Sequence, residues 1–199
     1  MAADDASYLA AAGSGDLATL ARQLDAGQAV DTRDGRGRTA LLLATRANQV
    51  EAARLLIGRG ADVNAKDDIA DTPYLYAGAE GRTEILKLAL ATGADLKDTN
   101  RYGGTALIPA AEKGHPDNVQ LLLEAGVDPD HVNGLGWTAL LEAVVLTDGG
   151  PVHQRIVQQL IAGGADVNIA DRDGVTPLAH ARQRGFSAMV LLLEQAGAR

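Results

Sequence analysis

The 199-residue chain contains no cysteine. That excludes a disulfide framework, a thiolate nucleophile and a cysteine-ligated zinc site. Aromatic residues are nearly as scarce: Tyr8, Tyr74, Tyr76, Tyr102, Trp137 and Phe186 complete the set. Hydrophobic residues still make up 46% of the chain, so any core must be built from small aliphatic side chains. No apolar run approaches the roughly 18 residues of a membrane helix, and membrane insertion is not expected. Cations are in deficit, with 18 Lys and Arg against 26 Asp and Glu. A phosphate backbone demands clustered cations, so no nucleic-acid partner is expected, and the net charge of −8 favours solubility instead.

Catalytic signatures are missing too. The serines are Ser7, Ser14 and Ser187, near the two ends and outside any nucleophile-elbow pattern. There is no Walker loop, no "HExxH" and no "GxGxxG". No enzyme and no cofactor are expected, because a catalytic site needs a cluster of positioned groups. "MAADDASYLAAAG" does not have the pattern of a secretory leader, and none is expected in it. The "AADD" that follows Met1 resembles the start of a mature exported chain with an added Met, which leans toward an exported or periplasmic location.

What is present is repetition. Threonines recur at Thr39, Thr72, Thr105, Thr138 and Thr176, spaced by 33, 33, 33 and 38 residues. Glycines keep the same beat at Gly27, Gly60, Gly93, Gly126, Gly164 and Gly197. Cut at that period, residues 1–199 form a single domain of six units: 1–33, 34–66, 67–99, 100–132, 133–170 and 171–199. Each unit reads as a turn, a short helix capped by Thr, a second helix with paired leucines such as Leu55 and Leu56, and a glycine stop. No unit can bury its own leucines, so stacking must supply the core.

The stretches "DGRGRTALLLATRANQVEAARLLIGRGADVNAK" and "DRDGVTPLAHARQRGFSAMVLLLEQAG" resemble ankyrin repeats. The resemblance extends along the whole chain. "RYGGTALIPAAEKGH" and "LGWTALLEAVVL" bring it nearer to a free-standing bacterial ankyrin-repeat type. It implies an all-α solenoid of stacked helix-turn-helix units with β-hairpin connections, whose hairpin tips and inner helices form a concave surface that binds another protein. One departure is visible: the family's His three residues after Thr is replaced by Leu42, Leu75, Ile108, Leu141 or Ala179, which makes the inner helices more apolar.

Candidate contacts lie just before each Thr, where residues change from unit to unit. They are Arg36 and Arg38, Ile69 and Asp71, Arg101 and Tyr102, Leu135 and Trp137, and Arg172. Apolar and aromatic side chains flanked by charges at projecting tips have the chemistry of interface hot spots. Trp137 has a second reading, in which it folds back over the neighbouring hairpin. On the inner helices, the fourth and seventh positions after Thr add Tyr76, Glu112 and Glu142 to the partner-binding set. Those three together with Pro109 also define an alternative, a small-molecule or metal-dependent groove. Pro109 lacks the N–H that would bond Thr105 C=O, so the helix start should be loosened there.

Two further features invite interpretation. Deleting Thr147–Pro151 would bring His153 into register with His115, with Glu112, Asp117 and Asp148 nearby. Stacked units put equivalent positions about 10 Å apart, too far for a shared metal unless the insertion bends inward, so no metal is expected. The insertion itself reads as a lengthened corner in which Thr147 and Asp148 prolong the first helix and Pro151 starts the second. A projecting contact is the rival reading. The apolar last helix, Met189 to Leu193, offers a route to self-association, but a monomer is expected.

Overall fold

The computed structural model describes residues 3–199, so Met1 and Ala2, with which the exported-chain reading begins, lie outside it. Helices account for the regular structure: α1 (Ala3–Ser14), α2 (Leu17–Asp25), α3 (Ala40–Arg46), α4 (Val50–Gly58), α5 (Pro73–Ala79), α6 (Thr83–Ala91), α7 (Leu107–Glu112), α8 (Pro116–Ala125), α9 (Ala139–Val145), α10 (Pro151–Ala162), α11 (Pro177–Gln183) and α12 (Ser187–Gln195). Two compact units emerge. Unit 1 runs to Ala77 and takes in Arg82–Asp95; unit 2 holds Gly78–Gly81 and Leu96–Arg199.

Within each unit the packing follows the repeat. In unit 1, α1 lies on α3, and α2, α4 and α6 stack in turn. In unit 2, α7, α9 and α11 form one row and α8, α10 and α12 the other. Leu42, Leu75, Ile108 and Leu141 are buried where the family pattern has His, while Ala179 is half-buried. Leu41, Leu56, Leu86, Leu107, Leu122 and Leu140 fill out the core. Each such leucine contributes about 2 kcal/mol by leaving water, and the alanines between them let the helices approach closely.

Local chemistry sets the helix ends. Thr39 Oγ1 accepts from Leu42 N at 3.2 Å, and Thr72, Thr138 and Thr176 do the same for the residue three further on. Gly60 ends α4 with φ 86°, a left-handed cap in which Ala61 N donates to Leu56 O and Gly60 N to Ile57 O.

Adjacent repeats are tied by short polar side chains between them. Asp31 accepts from Asp62 N, Asn64 from Asp95 N, Asp130 from Asp166 N and Asn168 from Arg199 N. The corresponding position in the third repeat is Lys97, whose ammonium can only donate.

The insertion is built differently from expectation. α9 ends at Val145 and is 7 residues long, like α3 and α11; α10 is the lengthened helix, with 12 residues against 10 in α8. Thr147 is buried beyond the end of α9 and turns its hydroxyl back to donate to Ala143 O at 2.8 Å. Gly150 then caps α10, and Pro151 opens it. The corner is braced across repeats: Arg184 donates to Thr147 O, His153 donates to Glu112 O, and the Phe186 ring lies against Gly149.

Candidate partner-binding surface

Five tips share one device. Asp34, Asp67, Asn100, Asn133 and Asp171 each use Oδ1 to accept two backbone N–H groups, from the residues two and four further on. The backbone closes the same loop, as where Asp34 N donates to Arg38 O and Gly37 N to Asp34 O. These are tight Asx-held turns. Among the described residues no β-strand forms, and the one bridge joins Arg33 to Thr39. The residue two places after each Asx is exposed at the crest of its turn: Arg36, Ile69, Tyr102, Leu135 and Asp173.

In unit 1, Arg36 is exposed and Ile69 is 48% exposed. Arg38 folds back on Asp34, donating to Oδ2 at 2.8 Å. Asp71 meets Arg46 at 3.5 Å, and the same guanidinium lies 4.6 Å from the centre of the Tyr76 ring. Arg46, named by no tip pattern, thus occupies the inner face beside Asp71 and Tyr76. Ala70 has φ 63° where four other tips carry glycine, so this turn is strained by a Cβ.

In unit 2, Tyr102 and Leu135 are each 55% exposed, and Val132 at 47% extends the row. Val132 was outside the tip pattern because it precedes its Asx. Arg101 lies 4.8 Å from the Tyr102 ring centre. Arg172 is exposed, packs its stem on Gly136 and donates to Gly134 O. Trp137 is half-buried, between the exposed crest and the core.

The inner-helix candidates separate. Tyr76 belongs to unit 1, and Pro109, Glu112 and Glu142 to unit 2. Glu142 is 5% exposed and accepts from Asn133 Nδ2 at 2.8 Å. Burial pushes its carboxyl up to about 7 and the negative charge of Glu112 adds to that, while the Asn133 hydrogen bond opposes it. One repeat later, His180 Nε2–H donates to Asp171 Oδ2 at 2.7 Å. That bond comes first among the causes holding the Asp171 carboxyl below its usual value, and the backbone N–H groups of Val175 and Asp173 assist.

Pro109 loosens α7 as its chemistry dictates. α7 starts at Leu107 rather than next to Thr105, Ile108 N donates to Thr105 O at 3.3 Å, and Thr105 Oγ1 is buried without a partner. The histidines brace the stack: His131 donates to Gly103 O and His153 to Glu112 O. Among the described residues no group of three His, Asp or Glu could hold a metal. An open cavity of about 190 Å³ lies away from the alternative groove, between α8 and α10, lined by Gln120, Leu123 and Gln159.

Residues 7–100, 59–133 and 107–199 match the family described as Ankyrin repeats (3 copies). This chain belongs to the ankyrin repeat family. An ankyrin repeat domain from Acinetobacter baumannii AYE is 55% identical with a TM-score of 0.94, over 96% of this chain and 98% of that one. EF0377, an ankyrin repeat protein of E. faecalis, is 48% identical with a TM-score of 0.91, over 95% and 96%. The ankyrin repeat domain of Bcl-3, a member of the IkappaB protein family, is 30% identical with a TM-score of 0.87, over 97% and 86%. With YahD of Escherichia coli (strain K12) the similarity is confined to 57 residues at 51% identity, 29% of this chain and 28% of that protein. Ankyrin repeats are generally protein–protein interaction modules. No helix among the described residues is long and apolar enough to cross a membrane.

Proposed function

We propose that residues 1–199 act as one monomeric, non-catalytic domain that captures another protein through its hairpin tips and inner helices. The observation carrying this reading is the row Tyr102, Val132 and Leu135 on unit 2, exposed and flanked by Arg101 and Arg172. Leaving three large apolar side chains in water is unfavourable unless a partner covers them. The Asx turns hold that row rigid, so docking orders little backbone. Arg36, Arg38 and Ile69 give unit 1 a comparable crest.

The test is affinity capture with the wild type beside a Tyr102→Ala/Trp137→Ala double variant. A protein retained by the first and released by the second is expected, with Trp137→Ala alone costing that complex about 2 kcal/mol or more. Equal retention by both would remove the tips from the interface. If Trp137→Ala mainly lowers the melting temperature, its role is to cover backbone. Light scattering should give a single monomer mass.

A further inference from the structure

The inner face holds the same three positions twice, in two chemical versions. In unit 1 they are Arg46, Asp71 and Tyr76, where one guanidinium is 3.5 Å from a carboxylate oxygen and 4.6 Å from an aromatic ring centre. Sixty-six residues on, two repeat lengths of 33, the positions are Glu112, Trp137 and Glu142. An aromatic ring and a carboxylate are present again, with their places exchanged. The cation is gone, and a second carboxylate stands where it was rooted.

Five cations of unit 2 are engaged elsewhere. Lys113 is held by Glu80, Arg155 by Asp117, Arg182 by Glu194, and Arg172 and Arg184 by carbonyls. Neither Glu112 nor Glu142 forms an ion pair with any described residue. Glu142 keeps only the neutral amide of Asn133. Glu112 and Glu142 stand on α7 and α9, which pack against each other, and Glu142 is nearly out of water; carboxylates so placed are unfavourable until a cation joins them.

We infer that the inner-helix face of unit 2 takes an arginine side chain of the partner protein, seated against Trp137 with its guanidinium shared between Glu112 and Glu142. Arginine fits better than lysine, because its planar fork serves two carboxylates and stacks on an indole at once. Unit 1 achieves the corresponding arrangement with its own Arg46. This inference names the partner chemistry of the proposed protein-binding function and rests on that reading.

Trp137 is the only tryptophan, so its fluorescence and its indole N–H resonance report on the place directly. The probe is N-acetylarginine methylamide, titrated beside the citrulline analogue, which keeps the shape and loses the charge. Saturable movement of the Trp137 resonance by the arginine probe is expected, with Kd about 1 mM for a ligand of this size. The citrulline analogue should produce none, and Glu112→Gln/Glu142→Gln should weaken the arginine effect about tenfold or more. Glutamine at 142 keeps an acceptor for Asn133, so a folded variant is expected and a thermal melt checks it. Equal response to both probes, no response to arginine up to about 50 mM, or no loss in a folded double variant would each overturn the inference. A chain that ignores the arginine probe but loses a captured protein on Tyr102→Ala/Trp137→Ala retains the protein-binding reading and rejects only the arginine.

Discussion

The fifth and sixth repeats solve one problem with opposite chemistry. Each has an Asx residue whose Oδ1 holds the tip, leaving the other side-chain atom to be satisfied by the residue nine places on. Where the Asx is Asn133, the spare atom is a donor and Glu142 accepts from it. Where it is Asp171, the spare atom is an acceptor and His180 donates to it. The two positions therefore have to be chosen together, and their dependence on pH differs in sign. Glu142 has its pKa raised from 4.5 to about 7, so its favourable contribution is complete below 4.5 and is lost as pH rises through about 7. Asp171 has its pKa lowered from 3.8, so its contribution is present above 3.8 and is lost as the pH falls below it.

The strongest way to break this comparison is Asn133→Asp, which sets two acceptors face to face. A loss of about 2–3 kcal/mol at pH 8 is expected by denaturant unfolding. Adding Glu142→His, which rebuilds the Asp171–His180 arrangement in the fifth repeat, should recover at least half of it; a double-mutant cycle without coupling would refute the matched-pair account. Glu142→Gln isolates the charge. It should stabilise by on the order of 1–2 kcal/mol at pH 8 and by almost nothing at pH 5, and a gain independent of pH would contradict the assignment.

The starts of α7 and α9 differ as well. Thr138 caps α9 and Thr105 does not cap α7, and Pro109 is the difference, so Pro109→Ala should gain about 1–2 kcal/mol in thermal melts. The smallest effect is expected at the one tip without its glycine, where Ala70→Gly should relieve the positive φ and gain roughly 0.5–1 kcal/mol.

Much of the architecture is legible in the sequence because the repeat forces it. A 33-residue beat of Thr and Gly leaves little choice for caps and stops, and Pro109 announced its own loosened helix. The matched Asx pairs were not legible in that way. Asn133 and Glu142 are remote on any helical wheel, and only the fold of the tip over α9 brings them together. The signal was there as Asp34, Asp67, Asn100, Asn133 and Asp171 at the repeat spacing, but a turn-forming residue gives no hint of what its second atom will meet. The insertion misled for a related reason. Thr147 and Asp148 were expected to prolong the first helix, yet α9 stops at Val145 and the Thr147 hydroxyl takes Ala143 O from beyond its end. Arg46 stands at the seventh position after Thr39 on the inner helix, but its contacts, the ring of Tyr76 and the carboxylate of Asp71, belong to the next repeat and are not written in its own.

Each of the stitches between repeats ties a backbone amide to an acceptor 31 to 36 positions earlier in the chain, so protection of that amide is set by a residue in the preceding repeat. Cutting one of them, as in Asp130→Ala, should let the Asp166 amide exchange with deuterated water sooner, while the amides of Asp62 and Asp95 keep their rate.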